Sequence, residues 1–253
     1  MSGPTDSAGQ PWKGRSFEPN PNAADDGTAP AAFVEAHAAF RAGRASLAEL
    51  VDAIRECRFL IPLVAVAGDT GVGPTGQLVD KSQELSIITV EGPDGRAVLP
   101  VFSSTAAMSA WRADARPVPA DAVRVALAAA SENTDRVVID PRSDTLTVLP
   151  RPAVWAIAQS VPWIPAVDDD AVVEAISAPA AAHPEIWAVS VVPGDPQATG
   201  AGPEVVVRFA YDPAVEQQQI RQAIAAMSAA WASDELVTQR VDSMSVQPIV
   251  APR

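Results

Sequence analysis

The sequence predicts an α+β protein: a mixed-sheet N-terminal domain with flanking helices, then a small two-layer α-β-β-α-β C-terminal domain. Three observations lead there. The chain has 253 residues, 48% of them apolar, which suits one large domain or two small ones with packed cores. Its first half mixes helical spacings with two hairpin signals, while its last third reads helix, strand, strand, helix, strand. Between them Ser160-Val161-Pro162-Trp163-Ile164-Pro165-Ala166-Val167 holds two prolines and reads as a linker. The expected division is a disordered tail over 1–30, an N-terminal domain over 31–160, a linker over 161–167 and a C-terminal domain over 168–253.

Residues 1–30 are rich in Pro, Gly, Asn, Asp and Ser and lack apolar periodicity. Order begins near Ala31, where Phe33, Val34, Ala36 and Phe40 recur at helical spacing until Gly43 interrupts. Ser46-Leu47-Ala48-Glu49 is a capping box: the hydroxyl and the carboxylate each take an orphan N–H. The helix behind it offers Leu47, Leu50, Val51 and Ile54 to the core. Residues 58–67 (RFLIPLVAVA) form a buried strand, and Pro62 keeps it from being central along its whole length.

A glycine-rich loop over 68–77 follows. Strands over 85–90 and 97–102 then flank the turn Gly92-Pro93-Asp94-Gly95. Ser104 caps a short helix carrying Met108 and Trp111, and Arg116-Pro117-Val118-Pro119 reads as an extended connector. A helix over 121–131 offers Val123, Val125, Leu127 and Ala128. A second hairpin joins 137–140 to 145–149, and Pro152 suits the first turn of a helix carrying Trp155 and Ile157.

In the last third, Asp168-Asp169-Asp170 places carboxylates at the positive end of a helix over 171–179. Strands over 186–192 and 204–211 come next. Asp212-Pro213 starts a helix over 213–231 with the stripe Ile220, Ile224, Met227 and Trp231, and a strand over 242–250 ends the order.

Charge narrows the function classes. The net charge is −13, with sixteen arginines but only two lysines, Lys13 and Lys81. A nucleic-acid backbone or an anionic membrane surface needs many Lys/Arg contacts, so neither is expected as a partner. Residues 161–253 hold twelve acids against four bases. That face is either a solvated surface or a dock for a basic protein partner on the C-terminal domain. The single cysteine, Cys57, excludes an internal disulfide. The chain shows no secretory apolar segment, and its longest apolar run, residues 59–67, is far short of the ~20 residues that span a membrane. A cytoplasmic protein is expected.

No constellation commits the chain to a reaction, and no cofactor or metal is expected. Gly71-Val72-Gly73-Pro74-Thr75-Gly76 matches G-x-G-x-x-G, but Pro74 interrupts it and no clear helix follows, so it reads as an ordinary glycine loop. His37 and His183 fall in different domains and read as structural or solvated. Cys57 lies between Arg55 and Arg58 but abuts a buried strand, which favours inert burial. The acidic triplet at 168–170 reads as helix-terminal charge rather than a cation clamp. The densest polar cluster, Asp80-Lys81-Ser82-Gln83-Glu84, sits between a loop and a strand and holds the one lysine of the folded part.

Asp80-Lys81-Ser82-Gln83-Glu84-Leu85-Ser86, Leu99-Pro100-Val101-Phe102, Trp111 with Arg116-Pro117-Val118-Pro119, Ile139-Asp140-Pro141 and Arg151-Pro152 together resemble the N-terminal domain of the SseB family in its actinobacterial form. The resemblance covers about residues 33–160. Residues 168–250 are similar to the smaller C-terminal domain that accompanies it. The family takes its name from an enhanced-serine-sensitivity phenotype, and the resemblance supplies no catalytic residues. It does mark Asp80, Lys81, Gln83 and Glu84 as a candidate interaction surface. The leading expectation is a non-catalytic protein-binding or adaptor protein. The alternatives are a small-molecule sensor for an amino-acid-related ligand, with residues 68–84 as its lid, and an enzyme using Asp80, Lys81 or Glu84.

Overall fold

In the computed structural model, which describes residues 25–67, 70–72, 78–80, 83–92 and 94–251, the fold is α+β in both halves. The N-terminal half opens with α1 (Ala31–Arg41) and α2 (Leu47–Arg55). Ser46 caps α2 through the full capping box, its hydroxyl accepting from Glu49 N–H while Glu49 reaches back to Ser46 N–H at 2.7 Å. β1 (Arg58–Ala67) pairs antiparallel with β4 (Gln83–Ile87) on one side and β7 (Arg116–Asp121) on the other. The β4 register begins at Leu63, so Pro62, which has no N–H to give, faces a ladder on one side only. β7 is the segment read as a connector. Its prolines fit because it is an edge strand, bonded to β1 alone.

β2 (Thr70–Val72) and β3 (Leu78–Asp80) make a small separate hairpin. β5 (Val90–Glu91) and β6 (Ala97–Val101) form the arms of the first long hairpin, so the strand expected over 85–90 divides between two sheets. α3 (Thr105–Trp111), β7 and α4 (Ala122–Ser131) cross over to β8 (Arg136–Ile139), which lies parallel to β6 and antiparallel to β9 (Thr147–Leu149). A Leu60–Phe102 bridge ties this mixed sheet to the first. α5 (Arg151–Ala158) closes the half with Pro152 in its first turn.

Phe33, Leu50, Ile54, Phe59, Leu99 and Ile139 lie in one core. The alanine face of α4 packs there through Ala122, Ala126 and Ala129, while Leu127 is exposed, as is Val34 on α1.

The C-terminal half runs α6 (Asp170–Ser177), a short 3-10 turn, β10 (Ile186–Pro193), β11 (Val205–Tyr211), α7 (Gln217–Ser233), α8 (Glu235–Arg240) and β12 (Met244–Val250). The sheet order is β10-β11-β12, with β12 parallel to β11. Val205, Val207 and Phe209 face the buried residues of the helices, where the stripe on α7 runs Ile220, Ala223, Met227 and Trp231. Asp212 does not start α7. It closes a turn by accepting from Ala214 N–H, and the helix begins at Gln217. α8, a single short turn capped by Asp234, carried no apolar period long enough to read.

Residues 25–30, read as tail on composition, lie against the body. Arg58 pairs with Asp25 and donates to Thr28 O at 2.9 Å, and Gly27 O accepts from Thr105 N–H at 2.9 Å. Residues 1–24 of the expected tail lie outside the described residues. Among the described residues, no helix is long and apolar enough to cross a membrane.

Candidate functional site

The segment read as a linker is the seam of the molecule. Trp163 is buried in the N-terminal core and Ala166, three residues on, in the C-terminal core. A chain anchored on both sides within three residues holds the two halves together instead of letting them swing. The loop between β10 and β11 adds a second tie. Its Ala198 seats in the N-terminal core, and Ala198 O accepts from Val148 N–H on β9 at 2.7 Å. Asp195 braces the loop by accepting from Thr199 Oγ1 and Gly200 N–H. At its base Gly194 and Gly202 cross so closely that a Cβ on Gly202 would lie 2.6 Å from Gly194 O.

A charged cluster forms the third tie. Asp242, whose side chain is 1% exposed, receives both Nη atoms of Arg96, at 3.1 and 3.2 Å. Arg136 meets the same carboxylate side-on, donates to Asp94 Oδ2 at 2.7 Å, and donates to Ser243 Oγ at 3.0 Å. Nearby, Arg151 stacks on Trp155, 4.8 Å above the ring, and donates to Thr238 O and Val241 O at 2.7 and 2.6 Å. A guanidinium at the last carbonyls of α8 complements the helix dipole as well as the lone pairs. Burial pushes the Asp242 carboxyl up, and the Arg96 guanidinium pulls it back.

Beside this cluster the seam forms a half-open cavity of about 230 Å³. Its apolar walls include Phe40, Leu47, Val148, Trp163 and Pro165, and its polar groups are Arg136, Asp168, Asp195, Glu204 and Asp242. Two buried polar atoms of the lining have no partner: Trp163 Nε1 and Glu204 Oε1. The other Glu204 oxygen accepts from Asp242 N–H at 2.6 Å, and Glu204 N–H donates to Ser243 Oγ at 3.0 Å. Burial raises the Glu204 carboxyl to about 7, opposed by the Asp242 N–H bond, reinforced by the Asp242 charge, and opposed by Arg151. Buried polar groups are nearly always satisfied, so an indole donor and a carboxyl oxygen left open in one cavity is the pattern of an interrupted network.

Apart from Asp168, the described residues singled out in the sequence lie elsewhere. Asp80 ends β3 opposite Thr70, and Gln83 and Glu84 open β4 opposite Ala67 and Val66. Lys81 lies outside the described residues, as do Gly73, Pro74, Thr75 and Gly76 of the glycine motif; Gly71 and Val72 belong to β2. His37 is buried on α1, where burial lowers its pKa, and His183 pairs with Glu185 at 3.3 Å. The Cys57 thiol donates to Ala53 O, and burial pushes its pKa up, away from reactive thiolate character. Of the acidic triplet, Asp169 caps α6 and faces Arg240, while Asp168 lines the cavity. Sequence reasoning missed Trp163 and Glu204. The available signal was a Trp set between two prolines, since a solvated linker has no use for so large an apolar side chain.

These features define an α+β protein with two hydrophobic cores and a pocket at the seam between them. A family model for the SseB protein N-terminal domain matches residues 32–156, and the chain belongs to the SseB family. No curated protein and no solved structure matches the chain.

Proposed function

We propose that this chain is a non-catalytic binding protein that holds a small molecule between its two domains. The observation that carries this reading is the pair of open, buried polar atoms, Trp163 Nε1 and Glu204 Oε1, in an otherwise apolar cavity. An amino-acid-related ligand fits the reading, with the seam rather than residues 68–84 as its place. Thermal-shift screening of the full chain against amino acids, amines and nucleotides tests it. A bound ligand at a hundredfold its Kd adds about 2.7 kcal/mol to stability. At least one of these classes should raise Tm, and Leu47→Trp, which fills the cavity from α2, should abolish that rise. A flat response across the screen ends the reading.

A second reading, an adaptor for a basic protein partner, rests on the C-terminal half. Its twelve acids outnumber four bases, and Asp170, Glu174 and Glu235 are exposed on α6 and α8, which pack side by side. Native pull-downs should then return a stoichiometric basic partner that Glu174→Lys with Glu235→Lys releases. Repeated recovery of none removes it.

A further inference from the structure

We propose that the seam pocket is selective for a small organic amine, with the ammonium on Glu204 Oε1, an adjacent acceptor atom on Trp163 Nε1–H, and the carbon body against Phe40, Leu47 and Val148. This rests on the seam being a ligand site, and it names the ligand's chemistry.

Charge decides the class. Four carboxyl groups line the cavity, those of Asp168, Asp195, Glu204 and Asp242, against one guanidinium, that of Arg136. Arg136 is already engaged with Asp94, Asp242 and Ser243. An anionic ligand would therefore enter a negative field and find no uncommitted cation among the described lining residues. Asp195 is turned into its own loop, and Asp242 is taken up by the two arginines. Glu204 keeps a buried oxygen with no partner in the protein, and a donor carrying positive charge gains most there, because the low-dielectric wall strengthens the attraction.

The indole supplies the second requirement. Trp Nε1–H is a donor only, so the ligand needs an acceptor beside its amine. The volume supplies the third. At about 230 Å³ the cavity suits a small organic molecule and is below the size of a drug-sized ligand site. Water alone would leave the apolar wall wetted, which an aliphatic body avoids.

The test is isothermal titration of the full chain at neutral pH with three probes of matched size. These are leucinol, its analogue with hydroxyl in place of the amino group, and isocaproate. Leucinol should bind about tenfold or more tightly than the diol, with isocaproate weakest, as expected when one charged hydrogen bond is gained or lost. Glu204→Gln should cost leucinol about tenfold while leaving the diol within about twofold, and Trp163→Phe should weaken both several-fold. Thermal unfolding of each variant shows that it is folded, and either variant alone suffices for the comparison.

If the diol or isocaproate binds as tightly as leucinol at a site that Leu47→Trp blocks, the amine assignment is wrong and the ligand-binding seam stands. The same holds if Glu204→Gln keeps full leucinol affinity. If none of the three probes binds in a manner that Leu47→Trp abolishes, the amine assignment falls. The broader reading is then decided by the thermal-shift screen alone.

Discussion

The two ends of the seam between the two cores use the same chemical groups to opposite effect. At one end Arg96 and Arg136 saturate the Asp242 carboxylate, with Asp94 and Ser243 completing the set. At the other, Glu204 and Trp163 keep one open atom each in an apolar cavity. The ends are joined through one residue, because Asp242 gives its carboxylate to the arginines and its N–H to Glu204. A saturated buried cluster fixes geometry, since its Coulomb gain is largely offset by desolvation. An unsaturated one leaves interaction energy for an incoming group to collect. The contrast assigns orientation of the halves to the first and recognition to the second.

The largest expected effect tests the saturated end. Asp242→Asn keeps the shape but leaves two guanidiniums facing an uncharged amide, and Arg136 is only 8% exposed. Breaking a buried pair from one side costs about 3–5 kcal/mol. Urea unfolding should show a loss of that order, with the two halves no longer unfolding in one transition. A loss below about 1 kcal/mol would mean that water already reaches the cluster, and the contrast between the two ends would collapse.

Much of the fold was legible because its signals are local. The Ser46–Glu49 box, the Ser104 and Asp121 caps, Pro152 in a first turn and Gly95 at φ +78 each act within four residues. The seam was not, because Arg136 and Asp242 stand 106 positions apart and nothing nearby in the sequence asks for their pairing. Proline misled twice in one sense. Pro117 and Pro119 suggested a connector where an edge strand tolerates them, and Pro162 with Pro165 suggested a free linker where Trp163 and Ala166 are anchors. Leu127 misled in the other sense: α4 packs by its small alanine face, and hydrophobicity alone ranked the leucine above it.

The open end is tested by Glu204→Gln. The folded Glu204 carboxyl titrates at about 7, above its ordinary value of 4.5, so the folded state binds the proton more readily than the unfolded chain. Stability from this group is full below about pH 4.5 and is lost as pH rises through about 7. Glutamine mimics the protonated form and loses nothing. The variant should therefore match the wild type near pH 4.5 and exceed it near pH 8, by on the order of 2 kcal/mol once partial solvent access is allowed for. His37, whose pKa burial lowers, contributes stability above about 6.5 that is lost on acidification, but it is common to both proteins and cancels in the difference. Equal stability at both pH values would place Glu204 in solvent and remove the distinction between the two ends.

The smallest expected effect concerns how the β10–β11 loop, which walls the cavity, is held to the N-terminal half. Two attachments are available. One is the exposed bond from Arg41 Nη1 to Gln197 O at 3.3 Å; the other is buried, Ala198 in the core with its carbonyl on Val148 N–H at 2.7 Å. A long exposed bond exchanges readily with water and is worth little, whereas the buried one leaves an unpaired N–H when broken. Arg41→Ala should then change unfolding free energy by less than about 0.5 kcal/mol and leave amide exchange at Val148 unchanged. Faster exchange at Val148 in that variant would show that the loop is tethered from its surface. The pocket wall would then be a hinged cover, and the open end of the seam would owe its shape to the same kind of charged contact that sets the saturated end.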